Sequence, residues 1–102
     1  MSTTPYTYVF VRTDLPVAQQ IVQSAHACHE AGNKFGEHSH VVLFECPSEH
    51  KLVQISATLT DQQIPHTLFH EPDDDVGYTA ICTTPLVGEQ RKVMRKYRMY
   101  PA

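Results

Sequence analysis

Tyr6-Thr7-Tyr8-Val9-Phe10-Val11-Arg12, then Thr13-Asp14-Leu15-Pro16, then Val17-Ala18-Gln19-Gln20-Ile21-Val22-Gln23-Ser24-Ala25-His26-Ala27-Cys28-His29-Glu30-Ala31, changes its period halfway along. The first seven residues are aromatic and β-branched and read as a strand. Asp14 before Leu15-Pro16 marks a helix start, with an N-cap oxygen and an early proline. Over the rest of this stretch Val17, Ala18, Ile21, Val22, Ala25 and Cys28 recur at helical spacing and predict a buried face. Gln19, Gln23, His26 and Glu30 form a polar stripe along one edge of that helix, which a strand ending just before it would aim at a crevice.

Outward from this unit the pattern repeats. Gly32 to Ser39 reads as a loop, and His40 to Cys46 as a second strand whose continuous apolar centre predicts burial on both faces. Pro47-Ser48 opens a second helix with Leu52, Ile55 and Leu59 on one face, closed by the turn from Asp61 to Pro65. His66 to Phe69 is a short third strand, Glu71 to Gly77 a polar turn, and Tyr78 to Thr83 a fourth strand. Thr84-Pro85 starts a third helix that Val87, Met94 and Tyr97 would pack onto the sheet. The order β-α-β-α-β-β-α defines an α/β fold, a three-layer sandwich around a four-stranded sheet. Because the third and fourth strands are too close in sequence for a crossover helix, they pair antiparallel and the sheet is mixed.

The 102 residues are 41% hydrophobic, the composition of a single globular domain spanning 1–102. The start has no basic segment followed by an apolar run, and the apolar runs are too short to span a bilayer, so the expectation is a cytoplasmic protein without a membrane partner. Cys28, Cys46 and Cys82 are an odd number at distant positions, which suits free thiols in a reducing compartment. A net charge of -3 argues against indiscriminate nucleic-acid binding. Yet Arg91, Lys92, Arg95, Lys96 and Arg98 crowd the end of the chain, and Asp73, Asp74 and Asp75 form an acidic cluster.

Two of these segments resemble a known family. The strand ending Val9-Phe10-Val11-Arg12-Thr13-Asp14-Leu15 and the helix signature Val22-Gln23-Ser24-Ala25-His26-Ala27 are similar to those of the type II peptidyl-tRNA hydrolases. Val41 to Glu45, Ile64-Pro65-His66 and Thr79 to Pro85 resemble that family's later strands, and Met94 to Tyr100 is most similar to its divergent peptidyl-tRNA hydrolase domain-containing branch. The resemblance implies tRNA as partner and metal-free hydrolysis of the ester joining a peptide to the 3′ end of tRNA. It also implies a site built from a helix lysine, an aspartate and threonines. Gln19 stands in the lysine's place, Glu71 nearest the aspartate's, and Thr79 matches a site threonine. The loop after Glu71 is shorter than the family's, with Pro72-Asp73-Asp74-Asp75 replacing its usual Gly-Arg-Thr-Gln segment.

On chemical grounds the candidate catalytic residues are Gln23, His26, Glu71 and Thr79. Gln23 and His26 carry donors and acceptors that could orient a carbonyl or a water, although a histidine beside an apolar face also suits simple packing. Glu71 could act as a general base if desolvation raises its pKa, and is otherwise a solvated loop carboxylate. Gln19, Arg91, Arg95 and Lys96 are the candidate substrate-binding residues. The basic ones would supply phosphate contacts, or merely complement the helix dipole. The pairings His26-x-Cys28-His29, His38-x-His40 and His66 with His70 lack the spacing of a metal site, so neither metal nor cofactor is expected. Hydrolysis at the 3′ end of tRNA is the leading expectation. The competing one is a catalytically silent domain of the same fold that binds RNA, a nucleotide or a peptide end. A ferredoxin-like regulatory module is disfavoured by the helix between the second and third strands. A free sheet edge or the apolar tail Met99-Tyr100-Pro101 would be the surface for a homodimer.

Overall fold

The computed structural model describes residues 4–36 and 40–101. Its elements are β1 (Tyr6–Arg12), α1 (Val17–Phe35), β2 (His40–Cys46), α2 (Glu49–Asp61), β3 (His66–Glu71), a single 3-10 turn (Asp73–Asp75), β4 (Gly77–Thr83) and a C-terminal 3-10 helix (Gly88–Lys96). The sheet runs in the order β2-β1-β4-β3. β1 and β2 are parallel, and β4 lies antiparallel between β1 and β3. The fold is therefore the expected α/β sandwich with a mixed four-stranded sheet. Among the described residues no helix is long and apolar enough to cross a membrane.

Alternation along β1 builds two cores. Tyr8 and Phe10 face α2 and the C-terminal helix, packing with Phe44, Leu52, Ile55, Leu59, Ile81 and Met94. Val9 and Val11 face the other way, against Ala27, Ala31, Ala80 and Cys82. The second core is made of small side chains, so α1 lies close to the sheet. Thr67 Oγ1 sits 3.3 Å from the Ala27 carbonyl of α1 and 3.4 Å from the Cys82 carbonyl of β4.

This close approach overturns the expected apolar face of α1. Its buried residues are Gln20, Gln23, Ala27 and Ala31, while Val17 is 64% exposed, Ile21 66% and Val22 45%. Alanines permit the contact that branched side chains would hold apart, and the two glutamines are buried because their amides find partners there. The helix also begins and ends elsewhere than expected. Pro16 occupies the N-cap position without a side-chain cap, because the Asp14 carboxylate is engaged by Arg12 instead. Gly32 lies within the helix, which stops at Gly36, where φ is +87°. Of the predicted loop, residues 37–39 lie outside the described residues, as does His38 of the His38-x-His40 pairing.

β2 is an edge strand, not one covered on both faces, and Val41 is 51% exposed. The end of the chain covers part of that edge. Glu45 N donates to Arg98 O at 2.9 Å and Tyr100 N to Leu43 O at 2.8 Å, with Phe44 and Met99 bridged antiparallel. Tyr100 OH donates to Gln20 Oε1, tying the tail to α1 as well. α2 is as expected, with Ser48 Oγ accepting from Lys51 N at 3.1 Å as its N-cap and Leu52, Ile55 and Leu59 buried. The third helix starts later than Pro85, because Leu86 first bridges to Tyr6, and it is wound as 3-10.

Candidate functional site

At the ends of β1 and β3, beside the start of β4, three side chains from three elements join in a chain of hydrogen bonds. Thr79 Oγ1 donates to Gln23 Oε1 at 2.9 Å, and Gln23 Nε2 donates to Glu71 Oε2 at 2.9 Å. The second Nε2 hydrogen serves Gln19 Oε1 at 3.2 Å. Glu71 Oε1 accepts from Asp73 N at 3.2 Å. An ionised carboxylate only accepts, so the amide nitrogen of Gln23 must face Glu71 and its oxygen must face the Thr79 hydroxyl.

A β-bulge makes the chain possible. Phe69 pairs with Ala80 and His70 with Tyr78, which leaves Thr79 without a partner on β3. Strict alternation from Ala80 and Cys82 on the α1 side would turn Thr79 toward α2. The extra residue turns it toward α1 and Gln23 instead.

Arg12 holds the adjoining turn. Its Nη1 donates to the Val76 carbonyl at 2.7 Å and the Tyr78 carbonyl at 3.1 Å, while Nε and Nη2 engage both Asp14 oxygens at 2.9 and 2.8 Å. Glu49 of α2 accepts from Tyr78 N at 2.8 Å. Gly77 sits between them at φ +84°, a backbone conformation that side-chain-bearing residues rarely adopt, and a Cβ there would also push the Glu49 carboxylate aside. Arg12 and Glu49 were not singled out as site residues from the sequence. For Arg12 the Arg12-Thr13-Asp14 spacing is a visible signal, but its meaning depends on a turn more than sixty residues away.

Glu71 departs from its expected electrostatics. The Gln23 amide, then the Asp73 amide, hold its carboxyl below the ordinary carboxylate range, and the nearby charges of His26 and His70 act in the same direction. It is thus a stabilised carboxylate and not one raised by desolvation. Gln23 and Thr79 are completely buried and lie behind Glu71 in this chain of hydrogen bonds. Glu71 and Gln19 are the members that reach solvent, and the nearby His26 is exposed. The His26 ring stacks on Phe69 of β3, with centroids 4.8 Å apart and planes at 7°.

The expected basic contacts lie across the sheet. Arg91 Nε donates to Tyr8 OH at 2.9 Å and its guanidinium lies 3.6 Å over the Tyr6 ring. Arg95 flanks a groove with Tyr8 and Met94, and Lys96 lies over Tyr97. Lys51, Lys96 and Arg98, the first and last not named from the sequence as binding residues, line a hollow of about 460 Å³ between α2 and the tail. The histidines have separate occupations. His66 contacts Ser56 Oγ at 2.7 Å and Ile64 O at 2.9 Å, His70 meets Tyr78 edge-on, and His29 contacts Asn33. Among the described residues no three His, Cys, Asp or Glu side chains converge on a metal-sized space.

No protein-family model matches this chain, and no curated protein matches it.

Proposed function

We propose that this chain is a peptidyl-tRNA hydrolase-like protein that cleaves the ester between a peptide, or an N-blocked amino acid, and the 3′ end of tRNA. The observation that carries the reading is the Thr79-Gln23-Glu71 chain, which fixes one ionised carboxylate at a strand end beside an exposed imidazole. Glu71 accepts a hydrogen bond from the attacking water and orients it toward the ester carbonyl. Its lowered pKa makes it a poor proton acceptor, so His26 takes the water proton and returns it to the departing ribose oxygen. Gln19 Oε1 is held by Gln23, which leaves its own amide hydrogens to donate to a carbonyl or phosphate oxygen of the substrate. Arg95, Lys96 and Lys51 would meet phosphates around the opposite side of the domain.

The test is release of N-blocked amino acid from N-acyl-aminoacyl-tRNA. Glu71→Gln keeps an acceptor for Gln23 and removes the charge, and it should lower kcat/KM about 10²-fold or more, as should His26→Ala. Full rates in both variants would refute this site. A second reading, a silent RNA-binding or peptide-binding domain, is favoured by Gln19, whose neutral amide gives a developing oxyanion no full charge. That reading expects saturable tRNA binding by the folded protein with no turnover.

A further inference from the structure

We propose that Cys28 and Cys82 form an oxidisable dithiol, a site at which peroxide closes a disulfide between α1 and β4. This inference stands on the second core and not on the esterase reading.

Cys82 is completely buried in the small-residue core between α1 and the sheet, and Cys28 is half-buried and packed against that same core. The backbones carrying them are close. The Thr67 hydroxyl touches both the carbonyl of Ala27, which is bonded to the nitrogen of Cys28, and the carbonyl of Cys82 itself. Disulfides between a helix and a strand need such an approach, since their Cα atoms must come within about 7 Å. Cys46 belongs to the other core, where its thiol donates to the Ser48 carbonyl at 3.4 Å, so the third cysteine stays out of the pair.

The two thiols are also unequal. Interaction with the Cys82 thiol draws Cys28 below the ordinary thiol range, while the same interaction and burial drive Cys82 up. Cys28 is therefore both the more accessible thiol and the more readily ionised one. Its thiolate attacks one peroxide oxygen and breaks the O–O bond, giving a sulfenic acid and hydroxide, which takes up a proton to become water. The Cys82 sulfur then attacks the sulfenic sulfur, expelling a second water as the S–S bond forms. In sum two thiols are oxidised and one hydrogen peroxide is reduced to two waters. The bond would join the two elements that carry Gln23 and Thr79.

The experiment exposes the full-length protein to hydrogen peroxide, alkylates the remaining thiols and maps peptides by mass spectrometry. The expected result is loss of two of the three thiols, a linked peptide joining Cys28 to Cys82, and full recovery with dithiothreitol. Cys82→Ser should stop at a sulfenic acid on Cys28 that dimedone traps, and Cys28→Ser should leave Cys82 reduced. Three alkylatable thiols after treatment, a linkage through Cys46, or a dimer held by Cys28 would each overturn the proposal.

Discussion

Thr79 shows how far one hydroxyl's direction can matter. Its hydroxyl donates to Gln23, and both residues are completely sealed from solvent. Thr79→Val keeps the shape and leaves the Gln23 carbonyl oxygen unpaired, at a cost of about 1–3 kcal/mol, which thermal or urea unfolding would read. If the chain orients Glu71, the same variant should lower kcat while leaving KM nearly unchanged. Glu71 also makes a prediction for pH. Its folded-state pKa lies below the ordinary value. Its contribution to stability is therefore present above the ordinary carboxylate range and is lost as pH falls through the lowered folded value. The Tm difference between the wild type and Glu71→Gln should shrink over that acid interval, and a difference that grows there would contradict the assignment.

Elements meet at the β3–β4 turn. Left-handed backbone at Asp74, Asp75 and Gly77 winds the chain tightly, and Arg12 and Glu49 clamp it from β1 and α2. Arg12→Ala removes charge-assisted bonds to Val76, Tyr78 and Asp14 together, so a loss of about 1–3 kcal/mol is expected. Hydrogen exchange should locate the loosening at Val76 to Thr79, and uniform exchange across the sheet would argue against a local clamp. The bulge at Thr79 lies directly beyond this clamp, so Arg12 reaches the candidate site by fixing the turn that leads into it.

At the scale of the whole molecule, the tail closes what the sheet leaves open. Residues 98–100 cap part of the β2 edge and tie it to Gln20 of α1. Truncation after Tyr97 would uncover strand hydrogen-bonding groups on the edge strand that also carries exposed Val41, a combination prone to edge pairing. The truncated protein should show a lower Tm and concentration-dependent association in sedimentation velocity, whereas an unchanged monomer would show that the tail is dispensable. The Thr79-Gln23-Glu71 chain and the cationic groove lie on opposite sides of the sheet, so under the proposed reading a tRNA occupying both would have to wrap around the molecule.

Much of this fold is legible in local pattern. The strand-to-helix change at Pro16, the α2 face of Leu52, Ile55 and Leu59, and the short β3–β4 connection depend on neighbours in sequence, and they specify element order and a mixed sheet. The pairing of Gln23 with Glu71 and Thr79 was visible as a set of residue types but not as a hydrogen-bonded chain. It depends on a bulge that no residue type announces and on a clamp between Arg12 and carbonyls far along the chain. Periodicity likewise misplaced the buried face of α1. Hydrophobicity favours Val17, Ile21 and Val22, but the close approach of helix to sheet admits alanine and hydrogen-bonded glutamine there. Which elements form, and in what order, follows from residue propensity and spacing, because both are local. Which side chains face one another is set by how closely the finished layers pack, and no local pattern carries that information.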